Sequence, residues 1–137
     1  VTSLLGTIDF HRREDGLVIA YELRKNDDEH QNYSFLRVNG GRVTDLFNDI
    51  PYTYYGHQDD QEISQSGNYR TQRVNGSNYR ELVFEYDFTE SRGGNKPTRQ
   101  PRSFRLRARW RAGKYRWVDG GALLKRLNAE RNRVGSI

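Results

Sequence analysis

Apolar and polar residues alternate with period two along most of the chain, the pattern of strands with one buried face. Residues 7–11 (TIDFH) and 17–23 (LVIAYEL) flank Asp15-Gly16, which predicts a hairpin with Leu17, Ile19, Tyr21 and Leu23 on the buried face. Residues 24–32 are polar and read as a loop. A second hairpin joins 33–38 to 42–47 across Asn39-Gly40-Gly41. Pro51 and scattered Gly, Ser, Asp and Gln make 48–67 a loop, with one short strand at 52–55. A third hairpin joins 69–74 to 79–88 around Asn75-Gly76, the dipeptide favoured in type I′ turns. After a Gly- and Pro-containing loop over 89–101, a fourth joins 103–111 to 114–118 through Ala112-Gly113.

The period changes only near the end. Leu123, Leu124 and Leu127 fall on one helical face, with Lys125, Arg126, Arg131 and Arg133 expected in solvent around it and Asp119 as N-cap. The helix is expected over about 120–133. About eight strands and one C-terminal α-helix predict a mainly β fold, a single antiparallel meander closed as a barrel or folded as a sandwich. Residues 1–137 are expected to form one domain.

Composition then limits the core. Leu, Ile, Val and Phe number only 30 of 137, so nine Tyr, six Phe and two Trp must supply much of the buried volume. The absence of Cys excludes disulfides and every cysteine-based metal or redox site. The longest apolar runs are far short of a membrane span. A start at Val1 and the lack of any Met predict a processed or trimmed product from which any signal peptide has gone, with the bacterial cell envelope or secretion as the expected location and the cytoplasm as the alternative.

The net charge of +5 is unevenly spread. Residues 1–90 carry nine Lys/Arg against sixteen Asp/Glu, whereas 91–137 carry fourteen against two. In 104–111 (FRLRARWR), Phe104, Leu106, Ala108 and Trp110 point one way while Arg105, Arg107, Arg109 and Arg111 point the other. The Ala112-Gly113 turn sets Arg111 opposite Lys114, Trp110 opposite Tyr115 and Arg109 opposite Arg116, gathering six cations on one face. Like charges across a strand pair are destabilising. Residues 81–88 (ELVFEYDF) supply a remedy: Glu81, Glu85 and Asp87 share a face and would lie beside the Arg row if the two strands pair. Three acids cannot neutralise six cations, and Arg99 and Arg102 add two more, so a positive surface is expected to survive.

Evidence for chemistry is thin. His11 reads as a solvated strand residue, and His30 and His57 sit in acid-rich loops that could offer oxygen ligands to a hard cation but lack a calcium-loop or zinc-protease spacing. No nucleophile elbow, phosphate loop or dinucleotide fingerprint is present. No catalytic residue, metal site or cofactor is assigned. Tyr52, Tyr54 and Tyr55 form a second candidate contact, either as a recognition loop or as a short strand with only Tyr55 outside. Ser66-Gly67-Asn68-Tyr69 resembles a loop motif of bacterial periplasmic lysozyme inhibitors, a likeness of four residues that the neighbouring segments do not extend and that assigns no family.

The expected function is therefore a non-catalytic binding module. It would contact a protein or an anionic polymer through Arg105, Arg107, Arg109, Arg111, Lys114 and Arg116, or through Tyr52, Tyr54 and Tyr55. A barrel enclosing a small ligand, a hydrolase built from loops and a nucleic-acid-binding protein are the alternatives. Nucleic acid is disfavoured because the aromatics of 104–111 face away from the Arg row.

Overall fold

The computed structural model describes residues 2–25, 28–58, 61–92, 96–97 and 101–132. Eight antiparallel strands follow one another in a single sheet, in the order of the chain: β1 (Thr2–His11), β2 (Glu14–Lys25), β3 (Asp28–Asn39), β4 (Arg42–Gln58), β5 (Gln61–Gln72), β6 (Glu81–Arg92), β8 (Arg102–Arg111) and β9 (Lys114–Trp117). A two-residue strand, β7 (Lys96–Pro97), pairs with the end of β6. One helix, α1 (Ala122–Asn132), ends the described chain. The mainly β meander with a C-terminal helix is the expected one. Arg99 and Arg133 lie outside the described residues.

The first hairpin differs from expectation by its turn and therefore by its face. The chain reverses at Arg12-Arg13, with His11 opposite Glu14, and Asp15-Gly16 lies inside β2. Ile8, Phe10, Val18 and Ala20 are buried, while Leu17, Ile19 and Tyr21 lie on the outer side. A one-residue change of parity exchanges the faces of a strand. Gly16 is used for space: a Cβ there would stand 2.7 Å from the Leu36 carbonyl oxygen and 3.3 Å from Ile8 and Leu46.

The predicted loops at 24–32 and 48–67 are mostly strand. β2 and β3 pair from Leu17–Leu36 to Lys25–Asp28, and β4 and β5 pair from Tyr54–Gln65 to Gln58–Gln61. Here too glycine makes room for rings. A Cβ on Gly56 would overlap the Tyr54 hydroxyl, and one on Gly67 would overlap the Tyr52 carbonyl oxygen and crowd the Tyr86 ring. Ser66-Gly67-Asn68-Tyr69 is consequently part of β5, not a loop. Pro51 is accommodated at an irregularity of the β3–β4 register, next to Asp49 with φ 57°. Around Asn75-Gly76 only Gly76 has positive φ (77°), and Ser77 N–H donates to the Val74 carbonyl at 3.1 Å. That is the signature of a type II turn in an eight-residue connection, not a type I′ hairpin.

The departure of 73–80 from the β5–β6 ladder lets the sheet close. The end of β1 pairs with this segment: His11 bridges Tyr79, Arg12 N–H donates to the Asn78 carbonyl at 2.8 Å, and Arg80 N–H donates to the Phe10 carbonyl at 2.7 Å. The first strand thus touches the lead-in to the sixth, which makes the sheet a partly closed barrel. The Tyr115 hydroxyl, on β9, lies 2.8 Å from the Arg80 carbonyl and 3.2 Å from that of Phe10, clasping both sides of the seam. Aromatic rings fill the interior. Phe84 sits 5.7 Å from both Phe35 and Trp117, Tyr33 stacks on Tyr52 at 4.2 Å, and Tyr79 stacks on Trp110 at 4.0 Å. Fully burying such a side chain contributes roughly 1.5–3 kcal/mol, so few aliphatic residues are needed.

Helix α1 starts as expected, with the Asp119 carboxylate accepting from Gly121 N–H at 3.1 Å and Leu123 N–H at 2.7 Å. Leu127 is fully buried against the sheet. Arg131, expected in solvent, is instead 5% exposed: Nε donates to the Gln65 side-chain oxygen at 2.8 Å and the guanidinium lies 5.2 Å from the Tyr54 ring centre. Arg102, expected to add free charge, holds Glu130 of α1 at 2.7 Å and Glu90 of β6 at 3.5 Å. Among the described residues, no helix is long and apolar enough to cross a membrane.

Two outcomes follow from this core. Replacing Tyr115 by Phe removes the donor at the seam and is expected to cost about 1–3 kcal/mol in urea denaturation, the range for a buried acceptor left without its partner. At alkaline pH, burial holds the phenols of Tyr33, Tyr86 and Tyr115 well above their ordinary value. The unfolded chain sheds these protons from about pH 10 while the folded chain retains them, so stability falls above that pH. Arg131, pulled down to about 10 by burial, opposes this trend, but as one group against three. Absorbance of these three phenolates at alkaline pH should appear together with loss of the β circular dichroism signal.

Candidate functional site

The Arg row forms as the alternation predicts, because β8 keeps strict strand periodicity beside β6. Register sets Arg107 opposite Val83, Arg105 opposite Glu85 and Leu106 opposite Phe84. The β8–β9 turn is also as expected, with Arg111 opposite Lys114, Trp110 opposite Tyr115 and Arg109 opposite Arg116. Ala112 at φ 51° and Gly113 at φ 86° give the left-handed pair that a two-residue hairpin requires.

The carboxylates of β6 hold half of this row. Glu81 is 1% exposed and takes Arg109 Nε on one oxygen and Arg107 Nη1 at 3.5 Å on the other. Glu85 takes Arg105 Nη2 at 3.7 Å and, from β5, Arg70 Nε at 2.9 Å. Asp87 accepts the Ser103 hydroxyl at 2.7 Å and no Arg among the described residues. Arg70 lies in the strand expected at 69–74, but its partner was not legible, because the eight-residue connection over 73–80 sets the β5–β6 register that places Arg70 opposite Val83 and diagonal to Glu85. Val83, on the same outward side, is also 1% exposed and stands in register between Arg70 and Arg107, long side chains whose stems are able to cover apolar surface. The row therefore roofs the central strand while its guanidinium groups remain at the surface.

Arg111, Lys114 and Arg116 differ. Among the described residues they form no ion pair, and the side-chain contact of Arg116 is a 3.4 Å hydrogen bond from Nε to the Arg111 carbonyl. The cationic face is thus graded, tied to carboxylates in the middle of β8 and unneutralised at the hairpin tip.

Of the three tyrosines, one reaches the surface. Tyr52 packs on Tyr33, Tyr54 is 2% exposed beneath Arg131, and Tyr55 is on the outside. A recognition loop of three tyrosines is not formed, since alternation along β4 turns two of them inward. Desolvation first, then a hydrogen bond with Glu62, holds the Tyr55 phenol above its ordinary pKa. Beside it is a cleft of about 210 Å³ whose lining includes Glu22, Glu29, Thr53 and Ser64.

All three histidines lie on strands, so His30 and His57 are not in the loops expected for them. His11 is half-buried, its Nδ1 accepting from Arg13 N–H at 3.0 Å and its ring edge-on to Tyr79; His30 is on β3 and His57 is exposed on β4. Among the described residues, no group of three or more His, Asp or Glu is placed to hold a metal ion. No known family, no curated protein and no solved structure matches the chain.

The gradation along the row yields a stability contrast. Arg109→Ala strips the buried Glu81 of its closest cation and is expected to cost about 1–3 kcal/mol in urea denaturation. Arg111→Ala, at the unpaired tip, should stay within about 0.5 kcal/mol of the parent.

Proposed function

We propose that this chain is a non-catalytic binding module whose β8–β9 hairpin takes an anionic polymer on its outer face. The observation that carries the reading is the tip: Arg111, Lys114 and Arg116 stand on one face without carboxylate partners among the described residues, next to three Arg that have them. Like charges about 5 Å apart across a strand pair repel, by under about 1 kcal/mol each in water. Folding gains nothing from that arrangement, whereas an anionic chain laid along it relieves the repulsion and meets several cations in a row. Arg forks grip sulfate, phosphate or carboxylate oxygens bidentately. Binding would take place on the outside of the barrel, in keeping with an interior occupied by rings.

Such binding depends on ionic strength because exposed charges are screened over about 8 Å at physiological salt. On a heparin column, Arg111→Ala/Lys114→Ala/Arg116→Ala is expected to elute at clearly lower salt than the parent while keeping its circular dichroism spectrum and thermal midpoint. Elution of the variant with the parent would overturn the proposal. Arg107 and Arg109 are poorer probes, since their loss also uncovers Glu81.

A further inference from the structure

The closure of the barrel draws a second group of cations together. Arg12, in the β1–β2 turn, and Arg73 and Arg80, at the two ends of the β5–β6 connection, line one cleft of about 410 Å³. Val74, Asn75, Gly76, Ser77 and Asn78 make up the rest of its lining, so its walls offer amide, hydroxyl and backbone groups and no carboxylate. Both walls are fixed by backbone bonds. Arg12 and Arg80 are anchored to Asn78 and Phe10 across the seam, and Ser77 to Val74 within the turn.

The three guanidinium groups are short of counter-charge. Among the described residues, Arg12 and Arg73 have no ion pair, and Arg80 approaches one acid, Asp9, with Nε 3.7 Å from Oδ2. That Nε is shielded from solvent and has no hydrogen-bond partner. Asp9 is also engaged by the Thr71 hydroxyl at 2.6 Å. Three cations line this cleft, two of them without an ion pair among the described residues and none facing a carboxylate in the lining, and together they form a receptor for an oxyanion with several acceptor oxygens. The volume falls in the range of small-molecule sites, roughly 300–1,000 Å³, and exceeds what a bare ion needs.

We infer that this cleft binds a phosphate or sulfate ester of a small polar molecule, with Arg12, Arg73 and Arg80 on the oxyanion and Asn75, Ser77 and Asn78 on the remainder. The inference stands apart from the hairpin face. It also differs in kind, since it predicts a saturable one-to-one site for a small molecule.

Amide chemical shifts of the intact chain, followed by nuclear magnetic resonance at low ionic strength, test it with glucose 6-phosphate, glucose 6-sulfate, inorganic phosphate and glucose. Saturable shifts confined to residue 12 and 73–80 are expected with one or both esters, at least about tenfold tighter than any response to glucose. The ratio between the two esters identifies the preferred oxyanion. Arg12→Ala and Arg73→Ala, both surface changes, should each weaken binding about tenfold, and Arg111→Ala/Lys114→Ala/Arg116→Ala should leave it unchanged. Absence of saturation with both esters, or equally tight binding of glucose or of inorganic phosphate, would overturn the inference. So would equal weakening by the hairpin variant, which would assign the ester to general charge instead of the cleft.

Discussion

The seam between β1 and residues 78–80 is the contact on which the rest of the fold depends. A meander of consecutive strands has two free edges and no inherent reason to curl into a shape that encloses a core. Two backbone hydrogen bonds and the bridge from His11 to Tyr79 tie the first strand to the lead-in of the sixth, and Tyr115 clasps the carbonyls on both sides. With that contact made, Phe10, Phe35, Phe84 and Tyr115 face a common interior. Tyr79 can then lie flat on Trp110, whose strand is adjacent to β6. The small aliphatic content becomes sufficient because the enclosed volume is filled by rings.

Charge is arranged around the same geometry. The outward side of β6 would be an unprotected acidic stripe without β8, and β8 would be an unstable cationic one without β6. In register they neutralise each other, and Glu81 can be buried because two guanidinium groups accompany it. Neutralisation stops where β6 has no further carboxylate to offer. β9 adds only Lys114 and Arg116 to that face, so the surplus of cations accumulates at the hairpin tip. A net charge of +5 thus says little about where the charge sits: among the described residues, the cations of this face without carboxylate partners are gathered at the tip.

How much of this was legible in the sequence depends on how local the determining signal is. The β8–β9 hairpin, its register and its partition of Arg from aromatic residues were readable because eight residues alternate without a break and a two-residue turn follows. The helix cap at Asp119 was readable for the same reason. The strands through 24–32 and 48–67 were not, because polar residues and glycines signal loops unless one knows which ring lies above them. Gly56 and Gly67 are strand residues that accommodate Tyr54, Tyr52 and Tyr86, two of them from other strands than the glycine's own. Arg131 and Arg102 read as solvated cations because their partners, Gln65 and Glu90, are remote in sequence and met only on packing. Of the two readings of the three tyrosines of β4, the strand with only Tyr55 outside is the one that forms, because alternation alone separates Tyr55 from Tyr52 and Tyr54.

The two cationic features differ in what holds their charges together, and this bears on what each can recognise. Along β8 the spacing is that of a strand, so successive groups on one face stand about 6–7 Å apart in a line and suit a repeating anion better than a compact one. In the cleft Arg12 comes from the β1–β2 turn and Arg73 and Arg80 from the β5–β6 connection, and the seam brings these two segments into contact. A compact oxyanion can meet several of them at once, and its binding would draw on the same backbone bonds that close the barrel. Occupancy of the cleft would therefore favour closure of the seam directly, since the segments that meet at the seam also supply the cations.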